Sequence, residues 1–148
     1  MKNTLVIFQC CKTKNGYEKF PEKDSTLYDR LPTTKRILQA GFQNFLKMGV
    51  IDAKSNLITA LSRYNGHFYK TPSLRSALAS EIKNGPSDFL IMSAGYGFVH
   101  PFQKIYNYDQ QMKGKTTKYW LAVGLPKVLE EFIETGNYTS IWILFQNG

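Results

Sequence analysis

Apolar residues fall along this chain in two rhythms. Residues 4–10, Thr-Leu-Val-Ile-Phe-Gln-Cys, make a short continuous apolar run, the pattern of a strand covered on both faces. Residues 88–93 (Asp-Phe-Leu-Ile-Met-Ser) and 140–145 (Ser-Ile-Trp-Ile-Leu-Phe) repeat it, so three buried strands are predicted. Between them the spacing becomes helical. Pro32, Thr33 and Thr34 open a helix whose Ile37, Leu38, Phe42, Phe45 and Leu46 share one face, with Gly49 as its stop. A weaker helical pattern covers residues 54–64, with Leu57, Ile58 and Leu61 inward and Asn65-Gly66 ending it. Ser73 is expected to cap a third helix carrying Leu74, Ala77, Leu78 and Ile82, which Asn84-Gly85-Pro86 terminates. Helical spacing resumes over 118–123 and again from Pro126 through Val128, Leu129, Phe132 and Ile133, with Gly136 ending it. Residues 94–114 show no period, and a loop of that length in a compact domain is usually functional or a misassigned element.

Strands separated by helices require crossover connections. The expectation is therefore an α/β fold, a mainly parallel, three-layer sheet with helices on both faces. At 148 residues the chain suits one domain, residues 1–148, with no internal repeat or linker. A comparable last strand ordinarily leads into a further loop and helix. The end soon after residue 145 is thus expected to mark a minimal form or a C-terminal truncation.

Charge changes this picture more than composition does. Nineteen basic residues against eleven acidic give a net charge of +8, which favours nucleic acid or a phosphate-bearing small molecule as partner. A lysine-rich solvated surface accounts for the same number, and no run of five basic residues marks a disordered tail. No apolar run approaches the roughly 20 residues of a membrane helix, so no membrane association is expected. The first residues enter a strand without a cleavage site, and Cys10 and Cys11 are adjacent, so no disulfide framework is possible. A cytoplasmic location is expected. Oligomeric state is not legible here.

Ligands of open α/β sheets bind beyond the carboxyl ends of the strands, and two such ends carry suitable chemistry. After the first strand come Cys10, Cys11, Lys12, Thr13 and Lys14, where ammonium groups and a hydroxyl suit a phosphate or carboxylate. The spacing is not that of a P-loop. After the second come Ser93, Ala94, Gly95, Tyr96 and Gly97, whose small residues permit close backbone approach to a ligand. Tyr96 and Tyr108 are candidates for stacking on a base. Asp109 is a candidate general base, or an ordinary solvated turn residue. Cys10 is a candidate nucleophile or a small buried hydrophobe. His67, His100 and the cysteines lack metal-ligand spacing, so no metal and no cofactor is expected. The stretch Gly124-Leu125-Pro126-Lys127 suits either a DNA-binding hairpin or a proline-started helix.

The run Cys10-x-Lys12-Thr13-Lys14, the pair Leu27-Tyr28, and Ser93-Ala94-Gly95-Tyr96-Gly97-Phe98-Val99-His100-Pro101 followed by Tyr108-Asp109 resemble the motifs of the YaaA-like superfamily. The resemblance spans most of the chain through about a score of positions. It implies an α/β fold and, for the longer members, DNA binding linked to protection from oxidative damage and control of free iron. Carried onto this sequence, the motif positions are Cys10, Lys12, Thr13, Lys14, Tyr28, Ser93, Ala94, Tyr96, Gly97, Pro101, Tyr108 and Asp109. Gly95 and Phe98 depart from the pattern, where relatives carry a larger residue and a leucine, and the chain is shorter than the long members.

Three functions remain open at this stage. One is a nucleic-acid or nucleotide-associated protein with Lys12, Thr13 and Lys14 on phosphate. Another is a nucleoside- or base-processing enzyme, a glycosidic-bond hydrolase or glycosyl transferase, in which Asp109 activates water. The third is a protein-interaction module.

Overall fold

A computed structural model describes residues 2–10, 27–64 and 72–144. In chain order the elements are β1 (Thr4–Gln9), a 3-10 turn at Tyr28–Arg30, α1 (Lys35–Lys47), β2 (Ile51–Asp52), β3 (Ile58–Thr59), α2 (Ala60–Arg63) and α3 (Pro72–Asn84). There follow β4 (Ser87–Ser93), β5 (Gly97–Val99), β6 (Lys104–Ile105), β7 (Asn107–Tyr108), α4 (Lys115–Val123), α5 (Leu125–Gly136) and β8 (Ser140–Leu144).

The sheet order is β5-β4-β1-β8. β4 and β8 run parallel to β1, with Thr4 beside Ser87 on one side and beside Ser140 on the other. β5 turns back antiparallel on β4, pairing Ser93 with Gly97. The sheet is therefore mixed. Two short antiparallel ladders, β2 with β7 and β3 with β6, stand apart from it.

Burial explains why β1 and β4 form where the apolar runs predict. Leu5, Ile7, Phe8, Phe89, Leu90 and Ile91 are all core residues, and Phe8 stacks on Phe89 with centroids 5.7 Å apart. Helix α1 buries Leu38, Gly41 and Phe45. Gly41 is required by packing: a Cβ there would lie 2.2 Å from Cη2 of Trp120 on α4. The amides that lead into α1 are satisfied from another helix. A Glu131 carboxylate oxygen on α5 accepts from the Thr34 amide at 2.8 Å and the Thr34 hydroxyl at 2.9 Å, a negative charge at the positive end of the helix dipole. At the opposite end of the sheet, Arg30 donates to Asp88 at 2.7 Å and to the Tyr138 hydroxyl at 2.9 Å. Its guanidinium also lies over the Phe132 ring at 4.0 Å.

Several expectations need correction. The helix predicted over 54–64 is β3 followed by the single turn α2, and Leu57 is exposed. Ser73 lies inside α3, which begins at Pro72, and Ala77 on that helix is exposed. The stretch 94–114 contains β5, β6 and β7. The last strand forms as predicted but is not buried: every residue of β8 is exposed, and among the described residues it pairs only with β1. No helix among the described residues is long and apolar enough to cross a membrane.

Candidate functional site

The two strand ends singled out by sequence stand side by side. β1 and β4 stay in register up to Gln9 and Met92, and the Cys10 amide then donates to the Met92 carbonyl at 2.8 Å. Cys10 and Ser93 thus stand at the carboxyl ends of adjacent parallel strands. Cys11, Lys12, Thr13 and Lys14 lie outside the described residues. Tyr28, half-buried on its 3-10 turn, packs against the core.

The turn from Ser93 to Gly97 is held on every side. The Trp120 indole nitrogen donates to the Ala94 carbonyl at 2.7 Å. A Cβ on Gly95 would stand 2.8 Å from the Tyr108 ring, and one on Gly97, at φ +82°, would stand 2.7 Å from Leu38. The glycines therefore admit an aromatic ring and a helix side chain, where sequence reasoning had them admit a ligand. A left-handed residue at position 97 also lets β5 fold back within one short turn.

Beneath this turn lies a cluster of hydroxyls that the sequence did not announce. Tyr64 donates to the Ser93 hydroxyl at 3.0 Å, the Ser93 and Tyr108 hydroxyls are 2.9 Å apart, and those of Tyr108 and Tyr64 are 2.7 Å apart. All three side chains are buried. With Tyr64 donating to Ser93, a consistent ring has Ser93 donating to Tyr108 and Tyr108 to Tyr64, so each hydroxyl spends its one proton inside the cluster. Ser93 additionally accepts the Tyr96 amide at 3.2 Å. Burial, joined by the charge of neighbouring Tyr64 and Cys10, pushes the Tyr108 phenol well above its ordinary range, so Tyr108 remains a neutral donor.

Tyr96 is likewise spent on structure. Its side chain is 8% exposed, its hydroxyl accepts the Tyr106 amide at 2.9 Å, and its ring packs on Phe42 and Tyr108 at 5.4 and 6.1 Å. Burial pushes its phenol up to about 12. The expectation that Tyr96 or Tyr108 stacks on a base is corrected here, since both rings are covered by core side chains. Asp109 follows Tyr108 at the end of β7, with its side chain exposed and its amide bonded to the Val50 carbonyl.

Arg63 is the residue that sequence reading missed. It sits on α2 at 6% exposure and donates to the Asn56 carbonyl. Desolvation lowers its guanidinium from the ordinary arginine value, while the neighbouring Tyr96 and Tyr64 act in the opposite sense. A buried cation thus stands against the same two tyrosines that hold the turn. The only sequence signal was an arginine in the apolar surroundings Ala60-Leu61 and Tyr64, which a solvated helix end explains equally well. His100 is on the far flank of β5, where its Nδ1 accepts the Phe102 amide at 3.0 Å. Among the described residues no three of His, Cys, Asp and Glu gather as metal ligands.

Comparison with protein-family models and with curated proteins finds no match.

Proposed function

We propose that this protein binds a phosphate-bearing partner, nucleic acid or a nucleotide, over the carboxyl ends of β1 and β4. The observation that carries the reading is the side-by-side exit of the two strands at Cys10 and Ser93. A net charge of +8 supplies long-range attraction for a polyanion, and buried Arg63 adds a fixed positive charge close to the turn. In this reading Lys12 and Lys14 meet phosphate oxygens, Thr13 adds a hydroxyl donor, and right-handed crossovers lay helices on both faces of the sheet in three layers. The resemblance to the YaaA-like superfamily extends the proposal to DNA protection under oxidative stress, in the cytoplasm.

The enzymatic alternative is weaker. Asp109, the candidate general base, is exposed, where water competes for any proton it would take.

Fluorescence anisotropy with a labelled 20-mer DNA tests the proposal, with ATP as competitor to separate nucleotide from polymer binding. Binding is expected to weaken steeply with salt, and Lys12→Ala with Lys14→Ala is expected to reduce the slope of log K against log salt by roughly 1.5 to 2. Neither binding nor competition at low ionic strength, or a slope unchanged in the double variant, overturns it.

A further inference from the structure

Positive charge is gathered on two helices of this chain. Residues 31–51 carry Lys35, Arg36 and Lys47 and no acid. Residues 110–129 carry Lys113, Lys115, Lys118 and Lys127, again with no acid. These stretches supply α1 and α4, and the fold brings them side by side. The Phe45 ring meets those of Tyr119 and Trp120 at 5.0 and 5.7 Å, and Gly41 leaves room for the Trp120 indole. Both helices pack on the same side of the sheet, since Leu38 and Trp120 close on Gly97 of β5. What α1 turns away from the sheet is Lys35, Arg36, Gln39, Gln43 and Lys47, and α4 adds Lys115 and Lys118, all exposed. Among the described residues none of these cations has an ion-pair partner. Glu131 of α5, which reaches the start of α1, is committed to Thr33 and Thr34.

We propose that the adjoining outer faces of α1 and α4 dock the sugar-phosphate backbone of a polynucleotide. The inference rests on the reading above for the class of partner, phosphate-bearing, and not for the strand-end site; it makes that partner a polymer. Arg36 and Lys47 lie on one stripe of α1 about three turns apart, roughly 16 Å at 1.5 Å per residue. That length matches about five base pairs of duplex at 3.4 Å each and exceeds what the phosphates of one free nucleotide reach. Gln39 and Gln43, between the cations, supply the amide groups that bond phosphate and sugar oxygens. A membrane surface fits less well. Interfacial helices press several large apolar side chains into the lipid, whereas the outer stripe of α1 holds no apolar residue larger than Ala40 and that of α4 adds one, Leu121. Contacts of this kind carry no base readout, so binding is independent of sequence.

Anisotropy of a labelled 20-mer DNA duplex, titrated with the full chain at several salt concentrations, is the test. Lys115→Glu with Lys118→Glu, and separately Arg36→Glu with Lys47→Glu, are each expected to weaken binding at least about tenfold near 0.1 M salt and to lower the slope of log K against log salt by roughly 2. Lys54→Glu with Lys83→Glu makes the same change of net charge at exposed positions on other elements and is expected to leave the slope as in the wild type. Trp120 emission reports an intact fold in every variant. Face variants that match the Lys54 and Lys83 control overturn the proposal, as does binding to phosphatidylserine vesicles without binding to DNA. If Lys12→Ala with Lys14→Ala lowers the slope while the face variants do not, the strand-end reading stands and this one falls; the reverse result does the opposite.

Discussion

Replacing His100 with asparagine removes a group that burial holds in its neutral form, and the pH dependence of stability is the quantity that responds. Burial pulls the imidazole down to about 4, helped by the positive charges of Arg30 and Lys2 and opposed by Asp88. Its Nδ1 already accepts the Phe102 amide at 3.0 Å, so a second proton has to break that bond or enter on a desolvated ring. In the unfolded chain the ring titrates near 6.5. Between the two values the unfolded state holds a proton that the folded state refuses, so stability is full above about pH 6.5 and falls as the pH drops toward 4. A separation of about 2.5 units at about 1.4 kcal/mol each gives roughly 3 kcal/mol, a large part of a typical domain's 5–15 kcal/mol. Urea denaturation followed by Trp120 fluorescence at pH 7.5, 6, 5 and 4.5 measures this loss in the wild type. His100→Asn keeps an acceptor for the Phe102 amide and lacks the titration, so its curve is expected to be flatter by most of that amount over the same interval. Parallel curves for the two proteins, or an NMR titration of the His100 ring with a midpoint near 6.5, refute the reasoning.

Three further substitutions test the packing in and around the turn. Gly41→Ala drives a methyl against the Trp120 indole, whose nearest carbon would be 2.2 Å away. Despite the better helix propensity of alanine, a net loss of about 1–3 kcal/mol is expected, seen as a lower urea midpoint with a shifted Trp120 emission. Ser93→Ala deprives the Tyr96 amide of its acceptor and is expected to cost about 1–3 kcal/mol, whereas Tyr108→Phe leaves the Tyr64–Ser93 bond intact and costs about 1 kcal/mol. Thermal melts of the two variants check that order.

The sequence made β1, β4, α1 and α5 legible because each is long enough to show its period. Leu38 and Phe45 return to one side of α1, and Leu5 through Phe8 is a continuous apolar run of strand length. Ile58-Thr59, Lys104-Ile105 and Asn107-Tyr108 are two-residue ladders, too short to alternate, so β3 hid in an apparent helix and β6 and β7 in an apparent loop. For β8 the pattern misled: Ile-Trp-Ile-Leu reads as covered on both faces, whereas every residue of the strand is exposed. The meeting of two strand ends was legible, since parallel and adjacent β1 and β4 bring Cys10 and Ser93 to the same end of the sheet. The hydroxyl ring was not, because Tyr64 lies 29 residues from Ser93 and 44 from Tyr108, and no local period links such positions. Tyr96 was misjudged for a related reason. An aromatic ring beside glycines reads as a ligand platform until the neighbours filling that space, Phe42 and Tyr108, are known.

Both neighbours of β1 come late in the chain: Thr4 waits for Ser87 on one side and for Ser140 on the other. During synthesis β1 therefore waits without a strand partner until β4, Ser87–Ser93, has been made, exposed to any other sticky strand in reach. Distant pairings of this kind slow folding and lengthen the window for aggregation. A chaperone that shields residues 4–10 during synthesis acts on the element around which the finished molecule is assembled.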